Sequence, residues 1–455
     1  MRSHRSSGRP VVRAALATSA AAWLWSGAAG ADERRHEAQA VPTRHAPHPS
    51  EEESFAQAPV LERAELVRQV LARNPSLEAA RLAWQSALSR APQQTALEDP
   101  MLSYSIAPLS IASPVRFGQV VELSQQLPFP GKRGLRGEMA LAEAEVMRED
   151  LEELRLRLAL MVSTLFDDVF VVHRALGITH EHLQLLEQLK QSAEAQYVVG
   201  RASQQDPLRA EVELSEVLRE QVALESERER LRAQLNGLLH RLPQAPLPPP
   251  PTDLAMPEEE PGPSEALQDL ALRQRPELEG LRARLGGREA AVRLAHRDSY
   301  PDVRVMGSYN SMWMDTAHQF MAGVSINVPL DFGKREAAVR EAETNLQRVR
   351  IEEKHLINDI RVEVEQARTR LVEARKVVDL FRERLVPASR DEVAAARAGF
   401  ESGKNSFQSL LEAERSMRSV ELRAQTALAD VQRRQAELDR ATGNTPGLPR
   451  EGATR

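Results

Sequence analysis

The chain has 455 residues, of which only 4% are aromatic and 28% are charged, with a formal net charge of −6 at pH 7 and no cysteine. That acidic balance argues against nucleic acid as a partner, and the missing cysteine excludes a disulfide framework, thiol chemistry and an acylated-cysteine anchor. Stretches such as "LRAEVELSEVLREQVALESERERLRAQL" use the Ala, Glu, Leu and Arg vocabulary of long helices rather than that of an average enzyme.

Residues 1–31 place Arg2, Arg5, Arg9 and Arg13 ahead of the short apolar run "AALATSAAAWLWSGAAG" and the small-residue site Ala29-Gly30-Ala31. This is the pattern of a signal peptide cut before Asp32. Loss of those four arginines, with no acid among them, lowers the formal charge from −6 to −10. Residues 32–58 are polar, proline-bearing and without period, and read as a disordered arm. His36, His45 and His48 lie in it; they either catch a transition metal or belong to a solvated linker, and they have no fixed geometry.

The remainder divides into two similar halves. "LARNPSLEA" (71–79) matches "LRQRPELEG" (272–280) at an offset of 201, and Gly131-Lys132-Arg133 matches Gly333-Lys334-Arg335 at 202. "YVVGRASQQDPLRAEVE" (197–213) faces "FESGKNSFQSLLEAERS" (400–416) at 203. Three landmarks in constant order mark an internal duplication. The first repeat, 59–242, is read as a helix, a β-hairpin over 101–127 and a long helical hairpin with its tip near 200. A proline-rich connector, 243–263, follows. The second repeat, 264–442, has its β-hairpin over 302–329 and its tip near 403, and 443–455 is read as a disordered tail.

Both hairpins alternate with period two. Leu102, Tyr104 and Ile106 alternate with Ser103 and Ser105, and Val115, Phe117, Val121 and Leu123 with Arg116, Gly118, Glu122 and Ser124. In the second half Val303, Val305 and Tyr309 oppose Asp302, Arg304, Ser308 and Asn310, before Phe320, Ala322, Val324, Ile326 and Val328. Alternation over about 10 residues suits a strand crossing an outer membrane, and no later stretch has the roughly 20 apolar residues of a membrane helix. Four such strands either form a small sheet packed on the helices or close a barrel with other copies, since lipid tolerates no open sheet edge.

From Lys132 to Val199 there is no proline, enough for a helix of roughly 100 Å at about 1.5 Å per residue. Its apolar positions Leu154, Leu158, Met161, Leu165, Val169, Val172 and Leu176 repeat every eleven residues, or about 3.67 per turn. That period fits the staves of a wide tube and an ordinary bundle alike. No His-Glu-x-x-His, Gly-x-Ser-x-Gly or phosphate loop is present, and His173, His180 and His182 do not share a helix face. The sequence therefore predicts no enzyme, no cofactor and no metal site.

"NPSLEAARLAWQSA", "QQLPFPGKR", "VPLDFGKR" and the two paired tip stretches together resemble the TolC-like outer membrane factors, in particular their heavy-metal CzcC/CusC-type branch, over about residues 61–441. The resemblance implies a mainly α fold with a β-barrel part. In it a homotrimer contributes four strands per chain to a twelve-stranded outer-membrane barrel, continuous with a long periplasmic α-helical barrel. It also implies a function: the outer-membrane channel of a tripartite efflux system, fed by a periplasmic adaptor and an inner-membrane RND-type pump, with heavy-metal cations as first substrate. Drug efflux or type I protein secretion is the alternative, and a soluble periplasmic coiled-coil scaffold a more distant one.

Two sets of residues become candidates on this reading. Lys132, Arg133, Lys334 and Arg335 fall where strand hands over to helix, where basic side chains reach outer-membrane lipid phosphates; plain solubility is the alternative. Gly200 and Gly403 mark the far ends of the rods, which the resemblance implies close the tube and meet the adaptor. Some relatives carry aspartates six and nine residues beyond the second glycine. Here Ser409 and Glu412 stand there, and Asp206 takes the six-residue position of the first half; these are either lumen and tip charges or solvated helix-end groups.

Overall fold

The structure is a computed structural model that describes residues 58–107, 117–200, 202–257, 260–313 and 316–448. The expected signal peptide, nearly all of the expected arm with His36, His45 and His48, and Val115 and Arg116 lie outside the described residues. The first repeat contains α1 (Arg63–Arg73), α2 (Pro75–Leu88), α3 (Arg90–Thr95), β1 (Met101–Ala107), β2 (Gly118–Leu127), α4 (Lys132–Val198) and α5 (Gln205–Leu238). The second contains α6 (Ser264–Gln274), α7 (Pro276–Arg297), β3 (Val303–Asn310), β4 (Phe320–Ile326), α8 (Phe332–Leu380), α9 (Val386–Glu401) and α10 (Phe407–Thr442).

Equivalent breaks have equivalent causes. Asn74 leaves α1 in an extended conformation, its side-chain oxygen accepts the Ser76 N–H at 3.1 Å, and Pro75 occupies the first helical position where a missing N–H costs nothing. Arg275 repeats that backbone before Pro276. At the far ends Gly200 and Gly403 adopt φ of 75° and 73°, the left-handed region open to glycine, and turn each long helix into the next. The two rods differ in continuity: α4 runs unbroken for 67 residues, whereas a π turn at Phe381–Leu385 separates α8 from α9. Pro387 lies just beyond that turn and has no N–H for the helical ladder, which accounts for its position.

The four strands form one antiparallel sheet in the order β1-β2-β3-β4. Leu102 pairs with Leu123, Leu123 with Gly307 and Gly307 with Ala322, while Tyr104, Val121, Tyr309 and Phe320 form the adjacent row. The apolar positions of both hairpins thus share one face, and it is bare: Leu102, Ile106, Val305, Val324 and Ile326 are all exposed, and Phe320 is 74% exposed. The other face carries Ser103, Ser105, Glu122, Gln126, Arg304, Ser308 and Ser325. An apolar face left open beside a polar one is the reverse of a sheet packed on its helices.

Packing among the helices is a chain of small cores. One joins Leu66, Val67 and Val70 of α1 to Val162, Phe166 and Phe170 of α4 and Leu235 of α5; a second joins Leu267 and Leu278 to Ile360, Val364, Leu371 and Leu438. A third near the tips holds Leu183, Leu186, Ala210, Val217, Phe407 and Leu411. The stripe expected on α4 is buried only in part, at Leu158 and Val172. Ala159, Val162, Phe166, Phe170 and Ile178 are buried, whereas Leu154 and Leu165 are half-buried and Met161 is exposed on a groove shared with Leu160 and Leu238. The connector is fastened rather than free, with the Leu61 N–H donating to the Pro249 carbonyl at 2.8 Å and Gln432 to that of Ala255 at 2.5 Å. Residues 443–448 of the expected tail also have defined structure. Gly443 caps α10 at φ 86°, and Leu448 packs on the first core.

Arg63 fastens α1 to the middle of α4, pairing with the fully buried Asp167 while its guanidinium lies 4.9 Å from the centre of the Phe166 ring. Burial pushes the Asp167 carboxyl up to about 7, and the nearby Arg63 and Arg433 only partly oppose it. Because the folded value exceeds the unfolded one, the unfolded chain ionises first, and stability falls as pH rises from about 4 to about 7. Asp167→Asn removes that slope. Its destabilisation should be smaller at pH 8 than at pH 5, as measured by chemical unfolding in detergent.

Candidate functional site

The strand-to-helix junction of the first repeat is built around Lys132. Pro128 and Pro130 end the β2 ladder, and Gly131 then turns at φ 90°, in a space where any Cβ would collide with Arg297. The turn sends Lys132 inward, to 3% exposure. Its Nζ donates to Asp302 Oδ1 at 2.9 Å and to the Tyr300 carbonyl at 3.0 Å, with Asp298 at 3.5 Å. The same Asp302 oxygen accepts the Phe129 N–H at 2.7 Å, and the Phe129 and Tyr300 rings stack at 4.7 Å. Residues of the first repeat thereby close on the segment between α7 and β3 of the second.

This placement corrects the expectation for Lys132, which cannot reach a lipid phosphate because its ammonium is enclosed by protein oxygens. Arg133 and Arg335 are also engaged, Arg133 Nε with the Thr95 carbonyl at 2.6 Å and Arg335 with that of Asp298 at 2.7 Å. Each arginine holds the helix end preceding its own hairpin. Lys334 alone of the four is exposed. Gly333 differs from Gly131 as well: it lies within α8, whose first turn is capped by Asp331 accepting the Lys334 N–H at 2.9 Å. The partners of Lys132 were hidden in the sequence, since Asp302 reads there only as the polar step before a strand.

At the tips the structure brings Glu412 and Ser409 onto the first turns of α10, beside the start of α5. Glu412 accepts from Gln408 at 2.9 Å and lines an open groove with Leu208, Arg209, Val212 and Arg415. Ser409 donates its N–H to Ser406 Oγ at 3.2 Å, and Asp206 accepts the Ser203 N–H at 3.1 Å, so both take part in helix starts. Acids missed in the sequence pair across helices away from the tips, Glu213 buried, Glu220 and Asp168 partly exposed, and Asp168 as far off as the middle of α4. Glu213 of α5 receives Arg415 Nε at 2.5 Å, Glu220 receives Arg418 at 2.6 Å, and Arg433 reaches Asp168 of α4 at 2.6 Å. The Glu213 hydrogen bond holds Arg415 above its ordinary range. His182 is buried close by, and burial pulls it down to about 4, so it stays neutral. No signal in the sequence marked these pairs: at the tip offset of 203 Glu213 faces Ser416 and Arg415 faces Val212.

Among the described residues no group of acids and histidines is arranged to hold a metal ion, and no helix is long and apolar enough to cross a membrane. What the geometry offers is a bare apolar sheet face at one end, rods of roughly 100 Å at about 1.5 Å per residue, and at the other end helix tips where exposed Val198 and Val199 stand beside polar groups.

The model of a family described as "Outer membrane efflux protein" matches residues 66–240 and 267–444, one span per repeat. The cobalt-zinc-cadmium resistance protein CzcC of Cupriavidus metallidurans is 23% identical over 334 residues, covering 69% of this chain and 74% of that protein. Among solved structures, CusC aligns with a TM-score of 0.73 at 19% identity, covering 84% of this chain and 92% of that one. The outer membrane protein VceC of Vibrio cholerae aligns at 0.70 and 17%, covering 84% and 96%. The fold is shared with both of these solved structures.

Lys132→Gln leaves Asp302 without its cation in a nearly closed site, so it should lower subunit stability by about 3 kcal/mol. Lys334→Gln, at the surface, should stay within about 0.5 kcal/mol. Denaturant unfolding in detergent, followed by far-UV circular dichroism, compares the two.

Proposed function

Because the chain belongs to the outer membrane efflux protein family, and is an outer-membrane channel component rather than an enzyme, we propose that it conducts heavy-metal cations out of the cell. In this reading a homotrimer forms the channel, which takes its cargo from a periplasmic adaptor and an inner-membrane RND-type pump. The observation that carries the substrate class is the relationship to CzcC, which covers 69% of this chain and 74% of that protein. The bare apolar sheet face supports the membrane part of the reading: four strands with open edges at β1 and β4 satisfy their backbone in lipid only when other copies complete the ring. The polar face then lines the passage. Nothing in such a lumen needs to bind tightly, so selectivity rests with the pump that loads it.

Deletion of the chain should sensitise its host to cobalt, zinc and cadmium and raise their cellular content, with complementation restoring both. Unchanged metal tolerance together with new sensitivity to organic drugs would replace the metal reading by the drug one. Glu412 tests the tip. Three copies near one axis attract cations, so Glu412→Gln should weaken cation preference in single-channel recordings. An unchanged preference would put Glu412 outside the lumen.

A further inference from the structure

The duplication makes the junction inside the chain a template for the junction between chains. Lys132, from the first repeat, is sealed against the second repeat by Asp302, Asp298 and the Tyr300 carbonyl. Its counterpart in the second repeat, Lys334, is exposed, and so is the chain entering α8 beside it: Leu330 and Phe332 are each 76% exposed. Farther along α8, Ile351 is 67% exposed, although Glu149, its counterpart on α4 at the offset of 202, is 7% exposed against α7. A surface that is closed at one repeat boundary is open at the other.

The same correspondence names what would close it. Pro100 matches Pro301 at an offset of 201, and this offset also aligns Leu102 with Val303. The Tyr300 carbonyl that receives Lys132 therefore corresponds to that of Asp99. The aspartates 298 and 302 correspond to Leu97 and Met101, and the carboxylates have moved to the residues between, Glu98 and Asp99, both exposed. The acidic turn Glu98-Asp99-Pro100 is thus the first repeat's version of the receptor for Lys132.

We propose that Lys334 inserts into the Glu98-Asp99 turn of a second copy of this chain, as Lys132 does within the chain, and that this pairing sets the subunit seam. The proposal rests on the oligomeric channel reading. It also fixes the strand register there. Leu102 pairs with Leu123 and Val303 with Ile326, so Leu123 corresponds to Ile326 at an offset of 203. Since Leu123 pairs with Gly307, the counterpart of Ile106, Ile326 pairs with Ile106 of the partner subunit. By the same step Asn327 pairs with Ser105 of the partner subunit, and Val328 with Tyr104 of the partner subunit. The apolar residues of the two open edges then fall on one face, continuous with the exposed face of the sheet.

A chain without cysteine makes the test clean. In the full-length protein in outer membranes, Asn327→Cys with Ser105→Cys should give covalent dimers and trimers on mild oxidation. Asn327→Cys with Ser103→Cys, a step of two residues out of register, should not, because the Cα atoms are then too far apart. Lys334→Glu should reduce the oligomer surviving mild SDS several-fold, and adding Glu98→Lys and Asp99→Lys should restore it. Oligomers indifferent to Lys334→Glu, or cross-linking that favours Ser103→Cys, would overturn the seam while leaving the channel reading intact. A wild-type protein that is monomeric in mild detergent would overturn the oligomer itself, and the seam with it.

Discussion

A buried ammonium is costly unless oxygens surround it, and Lys132 is placed where they do. One side chain at the first residue of a helix of 67 residues is held by the backbone and carboxylate of a segment 168 to 170 positions later. That contact joins the two repeats at the point where sheet becomes rod. Everything beyond depends on it geometrically: a small rotation at the base of α4 becomes a large displacement at its tip. The stacked rings of Phe129 and Tyr300 and the bond from Arg297 to the Pro130 carbonyl restrain the same turn from its other sides. Gly131 allows the approach, since the chain must turn left-handed at φ 90° and a Cβ there would displace the Arg297 guanidinium.

Along the rods the difficulty is register. Apolar ridges that repeat every few residues pack nearly as well after a slip of one turn, so burial alone leaves long helices free to slide. Charged pairs between elements discriminate, because a slip leaves a buried charge alone. The cross-helix pairs Arg63 with Asp167, Arg415 with Glu213, Arg397 with Glu414 and Arg433 with Asp168 are spread along α4 and α10. In each of the first three the acid is nearly or wholly buried, which makes its loss expensive and its position informative. The Phe166 and Phe170 core supplies cohesion near the middle, and the pairs decide the alignment.

The elements were legible in the sequence because their signals are local. Proline after Asn74 and Arg275, glycine at 200 and 403, and alternation in the hairpins each act within a few residues, and the duplication supplied the order of the two halves. Long-range partners were not legible. Lys132 and Arg133 look alike as neighbours in a basic pair, yet one is sealed by Asp302 and the other reaches the Thr95 carbonyl, a distinction set by a turn that only tertiary structure reveals. The regular leucine stripe on α4, buried at Leu158 and Val172, misled in part for a related reason. In a wall with two sides, the most regular apolar line need not be the one buried within a single chain, and Met161 and Leu165 line the open groove while Val162 and Phe166 fill the core.

Duplication followed by unequal burial has a consequence for how a conduit can evolve. Two repeats that meet once inside the chain leave one such meeting unfulfilled at its ends, and the residues there are free to drift as long as the charges remain complementary. Inside the chain the contact keeps a carboxylate two residues beyond the Tyr300 carbonyl; at the ends the acids stand at 98 and 99. A passage that recognises little can accept such drift in its wall, whereas a catalytic site, where displacements of about 1 Å matter, cannot. The constraint that shapes this sequence is therefore closure: an apolar face that must meet lipid and a ladder edge that lipid will not leave open.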